Sequence, residues 1–275
     1  MATKRHKKSD GRRGPQDVYR RSEHAPGRTI AFLRLFVANA SFNFLRLRRS
    51  SAHSSVTQFI LLALVFIVIG QPVRATDWHA LMPEEFARRP EVRARVDFAA
   101  FDRVLMAAAI FHESNRVRAR LGLPAFVRLP KLDAAADLKA SVGVVQNELT
   151  HTNPLPLTAQ PADRVKAVGL RYRQVAENIA RLGLFDLPAG TSQVMIRERA
   201  GRTEFLNPLT REPAELLSYA GFAELALRSW MNSPGHRAHL VNPELTHLGT
   251  AARPCRSPVV HHEQVYAVQV FLEPR

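Results

Sequence analysis

Ser229-Trp230-Met231-Asn232-Ser233-Pro234-Gly235-His236-Arg237 is the stretch on which the reading of this chain turns. Behind it, Leu216, Ala220, Ala223, Leu227 and Trp230 recur at the spacing of one apolar helix face, and Pro213 suits a first helical turn. A helix is expected over 213–231, with Trp230 in the core. Ser233-Pro234-Gly235 then opens a short second helix, with Ser233 at the N-cap position and His236 in the first turn.

Downstream, residues 247–252 and 264–272 read as strands. In the second, Val265, Ala267, Gln269 and Phe271 alternate with Tyr266, Val268, Val270 and Leu272, so both faces are largely apolar and the strand is expected inside a sheet. Upstream, 163–168 is a short helix closed by Gly169. Residues 131–149 form a longer one, whose apolar face is expected at Ala135, Leu138, Val142, Val145 and Leu149. Asn115 to Leu121 continues a helix that stops at Gly122, ahead of Pro124. Residues 76–109 are a connector with helical stretches, notably 96–109. Residues 191–205 alternate around Ala200-Gly201 as a hairpin, inside an insertion near 185–212 that could serve as a lid or a partner surface. Helices gathered around a small sheet with hairpin connections imply an α+β sandwich.

Four segments, in chain order, resemble bacterial members of the CAP superfamily, the SCP-type domain shared by cysteine-rich secretory proteins, antigen 5 and pathogenesis-related proteins. The first runs from Asn115 to Pro124. The second is His151-Thr152, followed by Asp163-Arg164 and Gly169-Leu170-Arg171-Tyr172. The third is Ala176-Glu177-Asn178-Ile179-Ala180. The fourth is the stretch quoted above with Leu240, Asn242-Pro243 and Leu248-Gly249, and Tyr266 to Phe271 is similar to the family's last core strand. The resemblance covers 110–275 and implies an α-β-α sandwich with a central antiparallel sheet. It also implies a cleft that receives His151, Glu177 and His236.

Two imidazoles and a carboxylate suit Zn²⁺ with water in an open position. Without metal the same groups can act as a general base with its orienting partner, or can simply brace the helices against the sheet. These readings stay open. Bacterial relatives carry an acidic residue two positions before the Trp of the fourth segment, and here that position is Arg228. Glu224, one turn earlier, is the substitute for it as a ligand, or else the partner of Arg228 in an i,i+4 ion pair. His239, three residues after His236, either shares the metal or is a surface histidine. His112-Glu113 and His262-Glu263 lack the second His of an H-E-x-x-H helix, and there is no G-x-S-x-G, Walker or C-x-x-C motif.

The 275 residues carry a formal net charge of +15. Residues 1–58 hold 13 Lys/Arg and 3 Asp/Glu, or +10, and the rest hold 26 and 21, or +5, so the excess belongs to the extension and no nucleic-acid partner is expected. The single cysteine, Cys255, excludes an internal disulfide. The basic extension 1–58 begins with 29 residues too polar to fold. Residues 30–49 either lie on an anionic membrane surface or precede the true start. The apolar run 59–69 is short for a membrane span and suits a signal peptide, with Val73-Arg74-Ala75 as the cleavage site before Thr76. Segment 59–75 is therefore either removed or an anchor, and in both cases the membrane is met only through it. A secreted, periplasmic or cell-envelope location is expected.

Three functions follow as alternatives. The first is an exported binding module whose cleft takes a small ligand, lipid, cell-wall fragment or protein. The second is a metal-dependent hydrolase using the His pair, and the third is an envelope-anchored structural protein. Arg228 in place of the acid favours the first.

Overall fold

A computed structural model describes residues 76–188, 191, 194–256 and 262–275, which belong to one compact unit. The expectations for residues 1–75 lie outside the described residues.

Asp102 starts the first long helix by accepting from the backbone N–H groups of Val104 and Leu105, both at 2.9 Å. Two short helices precede it, α1 (Pro83–Arg88) and α2 (Pro90–Arg93); the long one is α3 (Arg103–Arg120). It ends where the sequence places the stop, with Gly122 at φ 69°. The boundary expected at residue 110 falls inside α3, and Phe86, Val92 and Val96 are buried in the same core as Trp230, so the connector packs as part of the domain.

The order continues β1 (Val127–Arg128), α4 (Pro130–Gln146), α5 (Pro161–Ala167), β2 (Tyr172–Gly183), β3 (Met195–Arg199), β4 (Arg202–Leu206), α6 (Tyr219–Asn232), α7 (Pro234–Val241), β5 (His247–Arg256) and β6 (Glu263–Pro274). The main sheet has the order β1-β5-β6-β2. Its three long strands are antiparallel, and only the two-residue β1 runs parallel to its neighbour. Cluster membership follows the period of two. Val265, Ala267 and Phe271 join the core under α3 and α6, while Tyr266, Val268, Val270 and Leu272 join the core under α4. The α-β-α sandwich is the observed architecture, with β2 at one edge of the sheet. The insertion holds the hairpin β3–β4, which turns at Ala200 and Gly201 as the sequence suggests.

Two expected elements differ. The helix expected from Pro213 begins at Tyr219. Residues 213–217 are drawn into extended pairing instead: Pro213 bridges Leu206, Leu216 bridges Phe185, and the Leu217 N–H donates to the Leu184 carbonyl at 2.7 Å. Ser218 then caps the helix by accepting from the Gly221 N–H. The face expected on α4 is also rotated. Leu138, Val145 and Leu149 are exposed, Val145 by 87%, and the buried stripe is Leu132, Ala135, Ala136, Lys139, Ala140 and Gly143.

The reason is closeness of approach. A Cβ on Gly143 would collide with the Tyr266 ring, and one on Gly249 would collide with the backbone at Leu132 and Asp133. Small residues let α4 lie directly on β5 and β6, and a Leu/Val face would hold it off. Gly249→Ala forces backbone against backbone and should lower stability by about 1–3 kcal/mol in denaturant titration. An unchanged midpoint would contradict this account of the α4–sheet contact.

Candidate functional site

Strand β2 carries the site. Its neighbours Glu177 and Asn178 point to opposite faces of an edge strand. Glu177 faces the layer that holds α4 and α5, and Asn178 faces the layer that holds α7.

Glu177 is 3% exposed, and both of its carboxylate oxygens are engaged. Oε2 accepts from the Arg164 guanidinium at 2.5 Å, and Oε1 pairs with His151 Nδ1 at 2.9 Å. A carboxylate oxygen accepts here, so the proton of this bond sits on His151 Nδ1, and in the neutral ring Nε2 then keeps its lone pair. The His151 side chain is 47% exposed, against 1% for Glu177 and 0% for Arg164. A buried ion pair thus ends in a solvent-accessible imidazole.

Arg164 sits in the turn-rich α5, whose start is fixed by reciprocal hydrogen bonds between Gln160 and Asp163. Besides Glu177 it donates to the carbonyls of His151, Thr158 and Ala159, binding the 151–159 loop to β2. Lys139, fully buried on α4, supports the same loop through the Asn153 side chain at 3.1 Å and the Thr152 carbonyl at 3.3 Å. Burial pushes the Lys139 ammonium below its usual range, and the Glu177 charge opposes that shift.

On the other face, Asn178 donates to Gln269 Oε1 and to the His236 carbonyl, and its Oδ1 accepts from His239 Nδ1 at 2.8 Å. Gln269 in turn donates to Ser114, whose hydroxyl donates to the Ile110 carbonyl. This network leads from α3 along one face of the sheet to α7 and fixes the His239 tautomer. His236 Nδ1 lies 2.9 Å from Ser233 Oγ. Ser233 holds the N-cap position as expected, but its hydroxyl pairs with the imidazole rather than with a backbone N–H. Desolvation lowers the pKa of both His236 and His239, and the nearby His151 lowers them further. His151 reaches β2 through Glu177 on one face, and His236 and His239 reach it through Asn178 on the other. Trp230, 1% exposed, covers the same strand by donating to the Ile179 carbonyl.

Glu224 stands apart from this group. Its partner is Arg116 of α3, at 2.9 Å, and not Arg228 as one reading of the sequence expected. Arg116 is already held beside α6 by Glu113 one turn earlier on α3. Cys255 is half-buried on β5, and burial pushes its thiol up to about 11, away from the thiolate form.

Zinc requires several free N, S or O donors at about 2.0–2.3 Å. Here both Glu177 oxygens are bonded, and residue 228 is an arginine, which cannot ligate a metal. Among the described residues no group of three or more His, Cys, Asp or Glu side chains is placed to hold a metal ion. Donors arranged in this way do not fit zinc. Of the three residues expected to share a cleft, the structure pairs His151 with Glu177, whereas the His236 imidazole bonds Ser233; the sequence reading missed Arg164, Lys139, Asn178 and Gln269 as positioning groups. Arg164 and Asn178 lay within segments quoted for the resemblance.

The profile of the CAP, cysteine-rich secretory protein family matches residues 111–271, more than half of the chain. No curated protein matches. Among solved structures, an extracellular protein containing a SCP domain from Bacillus anthracis is 20% identical with a TM-score of 0.40, over 61% of this chain and 40% of its own. An outer surface protein from Borrelia burgdorferi is 14% identical with a TM-score of 0.40, over 66% of this chain and 98% of its own. A cysteine-rich secretory protein from Staphylococcus aureus is 16% identical with a TM-score of 0.37, over 61% and 38%. The chain thus spans less than half the length of the Bacillus and Staphylococcus proteins.

The buried pair makes a coupled prediction. Arg164→Met or Glu177→Gln alone leaves a buried charge without its partner and should cost about 3–5 kcal/mol. The double variant should lose clearly less than the sum. Additive losses in chemical denaturation would show that the two residues are not coupled.

Proposed function

We propose, from the premise that this chain belongs to the CAP, or cysteine-rich secretory protein, family, that it is an exported binding domain whose cleft at the edge of β2 recognises its ligand through hydrogen bonds. The observation that carries this reading is the state of Glu177, bonded at both oxygens by Arg164 and His151. With the carboxylate engaged, the groups left to a ligand are the imidazole edges of His151, His236 and His239. With the Nδ1 protons of His151 and His239 given to Glu177 and Asn178, the Nε2 atoms of the neutral rings accept, which suits the hydroxyl and amide N–H donors of a small molecule, a cell-wall fragment or a protein surface. Export is supported by the apolar run 59–69 followed by Val73-Arg74-Ala75.

The second reading, a hydrolase, draws on the same pair. A buried carboxylate that orients an exposed imidazole is also how a general base is held. It lacks a partner for zinc, as the donor arrangement above indicates.

Co-sedimentation of the chain with isolated envelope material, peptidoglycan and lipid vesicles tested separately, distinguishes the two. Binding to one of these, lost in His151→Ala and His236→Ala and unchanged by added Zn²⁺, is the expected result. Equal retention by wild type and variants would contradict the cleft as the binding site. Zn²⁺-dependent breakdown of the sedimented material would favour the hydrolase.

A further inference from the structure

Residues 76–82 precede α1 and have neither helix nor strand of their own. They are held by side chains that follow them in the chain. The Trp78 carbonyl accepts from His112 Nε2 of α3 at 2.9 Å, and Asp77 faces Arg128 of β1 at 3.5 Å. The Arg89 guanidinium lies 5.7 Å from the centre of the Trp78 ring, and Trp78 and Leu81 pack against the core that holds Phe86. A segment fastened in this way is a strap.

His79 is its inward-facing side chain. The ring lies 5.7 Å from Phe111 and lines a cavity of about 300 Å³ between α3 and α4, beside Val104, Ala107, Ala134 and Ala252. Both ring nitrogens are covered, and neither has a hydrogen-bond partner among the described residues. A neutral imidazole can occupy such a place at modest cost, whereas an imidazolium adds a full charge and a second unmet donor.

The surroundings offer that charge no acceptor. Facing His79 are Arg103 and His112 on α3, Arg128 on β1, Asp133 and Asp137 on α4, and Asp77 on the strap itself, while β5 brings only Thr250, Ala251 and Ala252. Asp133 already accepts from Arg128 and from the Thr250 N–H, and Asp137 is bonded at both oxygens by Arg253. Asp77 is exposed and turned to Arg128. Burial, then Arg128 and His112, push the His79 imidazole down to about 3, against a smaller opposing effect of Asp77. His112, stacked on Phe86 at 4.1 Å, is also lowered by desolvation, so its protonation acts in the same direction.

We infer that residues 76–82 are an acid-released strap, docked while His79 is neutral and freed when His79 takes a proton, which bares Phe111 and the adjoining cavity. None of the cleft residues takes part, so the device stands independently of the function proposed for them. The sign follows from the neutral form being the docked one. Docking is at full strength above about pH 6.5, the ordinary imidazole value, and weakens about tenfold per pH unit below it until about pH 3.

Hydrogen exchange of the full chain, read on the backbone amides of 78–81 and on those of β6, tests this between pH 7.5 and pH 5, where the carboxylates stay largely ionised. After correction for the intrinsic exchange rate, the opening constant of the strap should rise by at least about 30-fold over this range, and that of β6 should stay level. In His79→Phe and His79→Leu, which keep an apolar side chain beside Phe111, the rise should be smaller by about the same factor. Wild-type exchange of β6 at pH 7.5 shows that each variant is folded. A strap whose opening constant changes less than threefold in the wild type overturns the proposal. An equal rise in the wild type and both variants, or a β6 that opens in step with the strap, does the same.

Discussion

Everything at the cleft depends on one buried ion pair, Arg164 with Glu177, both side chains at 1% exposure or less. Removing two charges from water costs several kcal/mol per ion, and their attraction offsets this only when the remaining donors and acceptors are also satisfied. Here most of them are. The second Glu177 oxygen pairs with His151, and the Arg164 donors reach three loop carbonyls. The pair thereby dictates the position of the 151–159 loop, and that loop presents His151 to solvent.

A second constraint makes this geometry rigid. Gly143 and Gly249 let α4 rest on the sheet without intervening side chains, which places Lys139 under the same loop. Close-packed helix and strands leave little room for α4 to move, so the loop is held from below by Lys139 and from the side by Arg164. On the far face of β2, Asn178 and Gln269 satisfy one another and extend the fixed hydrogen bonding to His239. A fully satisfied buried network of this kind specifies one arrangement of its members.

Much of this was legible in the sequence. The period-two pattern of 264–272 identified β6 as an interior strand because both of its faces are apolar, and Gly122 and Gly169 marked helix ends because both adopt positive φ. Strand β2 was not legible as a strand, since its most buried segment contains Glu177 and Asn178 and polar residues break the hydrophobic period. The face of α4 was misread for the complementary reason. Pattern reading favours large apolar residues, and here the contact is made by Ala and Gly while Val145 faces solvent. The His151–Glu177 pair was found through the resemblance, because residues 26 positions apart (177 − 151) share no local pattern. Arg164 and Lys139 could not be read as buried, since long cationic side chains are ordinarily exposed.

The central claim is that Glu177 is engaged as a hydrogen-bonded partner of His151, which leaves the imidazole Nε2 as the group offered to a ligand. Nitrogen-15 NMR of the histidine side chains tests this most directly, because long-range proton couplings distinguish the two neutral tautomers. At a pH where His151 is neutral, the account predicts the Nδ1–H tautomer for His151, with its Nδ1 proton protected from exchange by Glu177. An Nε2–H tautomer, or a His151 ring that populates both forms equally, would contradict it.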